Sequence, residues 1–394
     1  MRRYSEKMDR LVGSVIREIF KMMADPQIIS LAGGSPAKES FPVETIREIA
    51  DKLIAENPVQ MLQYGVTCGH MPLREAYIEH MLKPKGIQAE VKNVLTCTGS
   101  GQGIYLICDV FVDKGDAILV ESPTFLSTLN VLNKIGARLI PVSTDENGLI
   151  VEDLEAKIKQ YNPKMLYTIP TFQNPSGRTI PAARRRRIAE LSAEYNMIVL
   201  EDDPYGELRF RGEAVPPIKS FDAAGNVILL NSFSKIIAPG IRVGAMCAAD
   251  DIIQKIELVK QGADTHTPTL TQAICAEYLN RGLLPAHLDE VADIYRVRLD
   301  AMLDGMAKHF PAGCKYTKPE GGLFVWTELP GDIDCSELNK KAIEKHKVAF
   351  VPGSPFCVDP ADGKHCLRLN FSSSNAEQIS LAIERLGGLI QSEL

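Results

Sequence analysis

The run Val227-Ile228-Leu229-Leu230-Asn231-Ser232-Phe233-Ser234-Lys235, followed by Pro239-Gly240-Ile241-Arg242-Val243-Gly244, decides how this chain is read. Four consecutive apolar residues make a strand buried on both faces, as in the interior of a parallel sheet. Pro239-Gly240 then breaks any helix before the next strand-like run, Arg242–Cys247. A parallel crossover needs about a dozen residues or more, so Arg242–Cys247 is predicted to run antiparallel to its neighbour. Two hydroxyls, a lysine and an arginine therefore gather in one short stretch. Hydroxyls and an arginine suit a phosphate dianion. A partly desolvated lysine beside other cations has a lowered pKa and becomes a usable amine nucleophile.

Outward from this stretch, short apolar runs alternate with helical patterns. The other predicted strands are Asn93–Cys97, Ala117–Glu121, Arg138–Val142, Lys164–Ile169 and Met197–Glu201, which with the two above make seven. A helix carrying Ile46, Ile49, Ala50, Leu53 and Ile54 on one face leads in. The alternation predicts an α/β fold, doubly wound around a mixed, mainly parallel seven-stranded sheet. After residue 290 the pattern changes. Val291, Ile294, Tyr295, Leu299, Met302, Leu303 and Met306 trace a long amphipathic helix. Strand-like stretches follow at Gly322–Glu328, Val348–Val351 and Cys366–Phe371, then a last helix opened by a Ser374-x-x-Glu377 capping box and ended near Gly387-Gly388. The expected division is a large domain over 45–290, a smaller α+β domain over 291–394, and an N-terminal segment, 1–44, that begins helical and joins the small domain.

The chain has 394 residues and a formal net charge of −6, against the basic excess of a general nucleic-acid binder. Its one basic run, Arg184 to Arg187, reads as a solvated helix face. Nine cysteines without CxxC pairs, and none paired with a histidine at zinc-ligand spacing, argue for reduced thiols, no metal site and a cytoplasmic setting. No signal-like apolar segment follows the charged N-terminus, and no stretch approaches the roughly 20 apolar residues of a membrane span.

Ligands of open α/β sheets bind outside the carboxyl ends of the strands. Four more clusters fall there. Thr98-Gly99-Ser100-Gly101-Gln102-Gly103 is a glycine-rich turn opening a helix, a phosphate site or a plain tight turn. Phe125, in Pro123-Thr124-Phe125, is a stacking residue or ordinary core. Gln173-Asn174-Pro175-Ser176-Gly177 is a turn in its own right. Glu201-Asp202-Asp203-Pro204-Tyr205 sets three acids at a strand end, where packing alone does not explain them, because a buried carboxylate is costly without a partner. A cationic partner such as a pyridinium nitrogen is one explanation and a metal another.

Taken together, Asp-x-x-Tyr after a strand, Ser-x-Ser-Lys, and Pro-Gly-x-Arg-x-Gly resemble the fold-type I pyridoxal-phosphate enzymes, specifically class I/II aminotransferases. With Leu31-Ala32-Gly33-Gly34-Ser35-Pro36 the chain is most similar to the 2-aminoadipate and kynurenine aminotransferases and the MocR regulators' aminotransferase-like domains, from Gly33-Gly34 to Arg368. The resemblance implies pyridoxal 5′-phosphate covalently held by Lys235, which then shuttles a proton. It implies Asp202 on the pyridinium nitrogen, Asn174 and Tyr205 on the phenolic oxygen, and Phe125 on the ring face. Ser100, Gly101, Gln102, Ser232, Ser234 and Arg242 are implied at the phosphate, with Tyr64 reaching the phosphate of a second subunit in a homodimer. Arg368 is implied as the bidentate clamp on the substrate α-carboxylate, with Gly34 and Asn174 beside the substrate. Gly101 departs from close relatives in lacking a side chain. Lys38 either meets a substrate's distal carboxylate or is simply solvated.

The implied reaction is ping-pong transfer of an α-amino group from a 2-aminoadipate, aromatic or branched-chain amino acid to a 2-oxo acid, 2-oxoglutarate being the expected acceptor. A pyridoxal-phosphate lyase or decarboxylase would share almost all these residues. A MocR-like regulator is disfavoured by the acidic charge and by a resemblance that starts so near Met1. A nicotinamide-dependent oxidoreductase, with Glu121 as the ribose acid, is weakened by Ile104 where the G-x-G-x-x-G pattern has its third glycine.

Overall fold

In the computed structural model, which describes residues 3–10 and 25–394, strands β1 (Val94–Cys97), β2 (Ala117–Glu121), β3 (Arg138–Val142), β4 (Met165–Thr168), β5 (Ile198–Asp203), β6 (Val227–Ser232) and β7 (Gly244–Cys247) form one sheet. Their order is β1-β7-β6-β5-β4-β2-β3. All pairings are parallel except those of β7, which is antiparallel to both neighbours. Only a short 3-10 turn, Pro239–Ile241, lies between β6 and β7, so the direction follows from the shortness of the connection. Every residue of β4 and β6 is buried, as their continuous apolar runs require.

Strand β5 runs two residues past the expected end and takes all three acids into the ladder, with Asp202 opposite Leu230 and Asp203 opposite Asn231. Side chains alternate faces along a strand, so Asp202 faces one way and Glu201 and Asp203 the other. Helix α1 (Val43–Glu56) leads in, and α2 (Ser100–Phe111) follows β1. Its Gly103 lies against Leu230 of β6, where an added Cβ would sit 2.6 Å from Cδ1.

A second, antiparallel sheet has the order β8-β9-β11-β10 and comprises β8 (Lys315–Tyr316), β9 (Phe324–Glu328), β10 (Val351–Pro352) and β11 (Cys366–Asn370). Arg368 pairs with Trp326 on one side and Val351 on the other. It is thus central in this sheet. Ile29–Ser30 pairs in parallel with Val348–Ala349, and Asn370 N donates to Leu31 O at 2.8 Å. These bonds carry the Gly33-Gly34 turn over the second sheet. The helical reading of the N-terminal segment falls mostly on residues 11–24, outside the described residues; Glu6–Met8 is a single 3-10 turn.

Three expectations need correction. In α3 (Ala182–Tyr195), Arg185 is not solvated: it is buried, and it donates to the carbonyls of Ile180, Pro170 and Pro216 and to Thr171 Oγ1. Its donors tie three chain segments together. Helix α6 (Ala376–Ser392) is capped by Asn375 with Gln378, while Ser374 Oγ donates to Ser30 O. The same helix continues through Gly387-Gly388, because Gly387 sits against the end of α5 (Leu284–His309).

A Cβ at Gly387 would lie 2.5 Å from His309 O, whereas one at Gly388 meets nothing within 4 Å. Gly387→Ala should therefore destabilise the protein by about 1–3 kcal/mol through overpacking. Gly388→Ala should leave stability unchanged or raise it by up to about 1 kcal/mol through helix propensity. Thermal denaturation of the two variants side by side checks both.

Candidate active site

The three acids at the end of β5 have different surroundings. Glu201 accepts from Ile218 N at 2.7 Å and Lys219 N at 2.8 Å. Asp203 accepts from Gly206 N at 2.9 Å and from Asn231 Nδ2, with Lys85 Nζ 3.7 Å away. Both are answered by local partners and serve structure, although packing alone was not expected to explain the three acids. Asp202 differs. Its Oδ2 accepts from the Tyr167 hydroxyl at 2.8 Å, and its buried Oδ1 has no partner. Burial pushes the Asp202 carboxyl up to about 7, against the Tyr167 hydrogen bond, which lowers it. An unpaired buried carboxylate oxygen is a costly feature, and a cationic N–H placed against it would remove the cost.

Tyr205 is buried three residues beyond Asp202, and its hydroxyl accepts from Asn174 Nδ2 at 3.3 Å. Asn174 Oδ1 in turn accepts from Arg368 Nη1 at 2.9 Å. Arg368 also donates through Nη2 to Ala32 O at 2.7 Å and Gly33 O at 3.2 Å, and its buried Nε has no partner. The guanidinium lies 4.2 Å from the Phe324 ring centroid and 5.1 Å from that of Phe356. Among the described residues no carboxylate pairs with it. A buried guanidinium with an unused donor and no counter-ion is suited to an anionic ligand. Burial pulls its pKa down to about 10.

Lys235 follows β6, one strand over from Asp202, and its Nζ donates to Gly34 O at 2.6 Å. Burial, together with repulsion from Arg368 and Arg242, lowers its pKa to about 8. The Gly33-Gly34 turn thus touches Arg368 and Lys235 at once. Lys38, beyond it, is exposed.

A second group lies at the start of α2. Arg242, in the left-handed region at φ 55°, donates to Ser234 Oγ at 3.4 Å and to Thr98 O at 3.3 Å. Ser234 N donates to Ser232 Oγ at 3.3 Å. Gly99 has φ 76°, and a Cβ there would sit 2.4 Å from Arg242 Nη2. Ser100 and Gly101 open the helix, where backbone N–H groups lack helical partners, and a side chain at Gly101 would meet nothing within 4 Å. Two hydroxyls, a guanidinium and a helix N-terminus therefore converge. The Gln102 side chain turns away from them. It accepts from Thr98 N at 2.7 Å and donates to Asp264 Oδ2 at 2.6 Å, and fully buried Lys260 holds Asp264 at 2.7 Å.

Two further predicted residues are partly or largely exposed. Phe125 is half-buried at the start of the helix Leu126–Ile135. Tyr64 is 83% exposed, with its ring edge-on to His266. Sequence reasoning missed Tyr167, Phe324, Phe356 and the Lys260–Asp264 pair. The i, i+4 spacing of Lys260 and Asp264 was a usable signal; Tyr167 offered only a hydroxyl inside an apolar run. Glu121 is occupied structurally, accepting from Ile169 N at 2.9 Å, which removes the residue that a dinucleotide reading needed for its ribose.

Residues 26–386 match the family model described as aminotransferase class I and II. An aromatic-amino-acid aminotransferase of Thermococcus litoralis is 42% identical, covering 99% of this chain and 94% of its own length. A 2-aminoadipate transaminase of Thermus thermophilus is 38% identical, covering 96% and 94%. The crystal structure of a Pyrococcus horikoshii kynurenine aminotransferase in complex with PMP superposes with a TM-score of 0.95 at 40% identity, covering 99% of this chain and 97% of that one. With its fold, its strand-end residues and these matches in agreement, the chain belongs to the class I and II aminotransferases.

Proposed function

We propose that this pyridoxal-phosphate-dependent aminotransferase moves an α-amino group from an aromatic, 2-aminoadipate or branched-chain amino acid to a 2-oxo acid, 2-oxoglutarate in particular, by a ping-pong mechanism. The observation that carries the reading is Asp202 Oδ1, buried and unpartnered, on the strand beside the one that delivers the Lys235 amine. The activities named for these relatives support the choice of donor.

When bound, pyridoxal phosphate supplies an electron sink conjugated to the substrate Cα. The residues present fit it. Asp202 Oδ1 would accept a hydrogen bond from the protonated ring nitrogen, and Asn174 and Tyr205 would bond the phenolic oxygen, with Phe125 against the ring. Ser232, Ser234, Arg242 and the N–H groups of Ser100, Gly101 and Gln102 would hold the phosphate. Lys235 Nζ would attach the cofactor and, once displaced by substrate, carry the proton leaving Cα. Arg368 would clamp the substrate α-carboxylate beside Gly34. In this reading residues 45–290 bind the cofactor, 291–394 supply Arg368, and the N-terminal segment, 1–44, joins the small domain.

Tyr64 would serve a second copy of the chain. It is highly exposed among Val59, Leu62, Val66 and Met71, which are also exposed and line or flank one groove with it. Apolar exposure on this scale supports a homodimer interface. Among the described residues no helix is long and apolar enough to cross a membrane. Nine free cysteines, most of them buried, support a reducing, cytoplasmic setting.

A spectral screen of holoenzyme against amino acids tests the reaction. Conversion to the pyridoxamine form supports transamination, whereas pyruvate or CO2 release without it would point to a lyase or decarboxylase. Lys235→Ala should fold normally yet lose covalent cofactor attachment and transamination; a variant keeping both would overturn the assignment. Covalent capture of cofactor by apoprotein requires the neutral amine, so its rate should rise about tenfold per pH unit below about 8 and level off above it. Gly99→Ala should displace Arg242 and weaken cofactor binding by about 10- to 100-fold, the loss expected for one charge-assisted contact, as read by equilibrium dialysis.

A further inference from the structure

We infer that Tyr167 is a positioning residue that orients the Asp202 carboxylate, leaving Oδ1 as the acceptor for the cofactor's ring nitrogen. The inference rests on the cofactor assignment above and adds a residue to it. Tyr167 lies on β4 and Asp202 on the adjacent β5, two residues beyond Leu200, the register partner of Tyr167. The period of two along a strand therefore puts both side chains on the same face. Both are buried, and the hydroxyl lies 2.8 Å from Asp202 Oδ2.

Packing does not require this hydroxyl, since phenylalanine would fill the same space beside Met165 and Leu166. What the hydroxyl does is specific. The terminal carboxylate torsion of an aspartate is broad and nearly two-fold, so an unanchored carboxylate would sample many orientations. One fixed donor selects the plane and assigns the two oxygens different tasks. Oδ2 is used by Tyr167, and Oδ1 is left without a partner. Tyr167 can act only as the donor here, because burial and the neighbouring carboxylate hold its own pKa far above the usual phenol value. The same bond favours the ionised carboxylate against burial and against repulsion from Asp203. Only the ionised form can pair with a protonated ring nitrogen.

The test compares Tyr167→Phe, Asp202→Asn and the double variant as holoenzymes. The readouts are the pyridoxal-phosphate dissociation constant, the pH midpoint of the absorbance band of the Lys235-linked cofactor, and the melting temperature. Tyr167→Phe should bind the cofactor about tenfold more weakly, the effect of one hydrogen bond to a charged group. Its absorbance midpoint should move to higher pH, because a less fully protonated ring withdraws less charge from the lysine nitrogen. In the Asp202→Asn background the same substitution should change neither quantity.

Wild-type affinity and midpoint in Tyr167→Phe would overturn the inference, as would equal losses in both backgrounds, which mark a packing role. Should Tyr167→Phe fail to fold while the double variant folds, the hydroxyl's partner is Asp202 and the inference stands. Failure of both to fold assigns Tyr167 to packing instead. A wild-type protein that takes up no pyridoxal phosphate on Lys235 would instead sink the functional reading.

Discussion

Burial of ionisable groups without full partners, at the ends of two neighbouring parallel strands, is the constraint on which the rest of this structure depends. Removing a carboxylate or an amine from water costs several kcal/mol unless its charge is answered. Asp202 keeps one oxygen unanswered, and Arg368 keeps one donor unanswered. Lys235 Nζ donates to the Gly34 carbonyl. Among the described residues nothing further answers Asp202 Oδ1 or Arg368 Nε, and a ligand bringing a cation to the first and an anion to the second would. The surrounding sheet holds the groups in place before any ligand arrives, which is the condition for electrostatic preorganisation.

Two sheets and one N-terminal turn share that task. The seven-stranded sheet delivers Asp202 and Lys235 on adjacent strands. The four-stranded sheet delivers Arg368 from its centre. Between them the Gly33-Gly34 turn accepts from both cations, at Gly33 O and Gly34 O. Its backbone is anchored to the small sheet through Leu31. A displacement of either sheet is therefore felt at Lys235 and Arg368 together. Asn174 adds a second link by bridging Arg368 to the Tyr205 hydroxyl.

The neighbouring acids show how a strand end separates structural from chemical roles. Glu201 and Asp203 point to the face away from Asp202 and are consumed by backbone N–H groups and Asn231. Pleating alone accomplishes the separation, since successive side chains face opposite ways. The phosphate-like group at α2 is built by a related economy. Gly99 lets the Arg242 guanidinium lie against the chain, and Gln102 ties the turn to the Lys260–Asp264 pair instead of facing inward.

Periodicity and breakers in the sequence by themselves determined the seven strands, the antiparallel β7 and the long helix α5, because burial on two faces and a short connection leave few alternatives. Lys235, Asp202 and Arg242 were legible as candidate site residues because each lies at or beside a strand end that the pattern makes readable. Only the tertiary structure decided which of three adjacent acids keeps an unpartnered oxygen and that Arg185 is buried. It also decided that Gly387 is a helix contact and not a helix end, and that Tyr167 is the partner of Asp202. The physical reason is common to all four. Each depends on what lies across a strand pair or a helix interface, a neighbour far away along the chain, and local pattern carries no record of that neighbour.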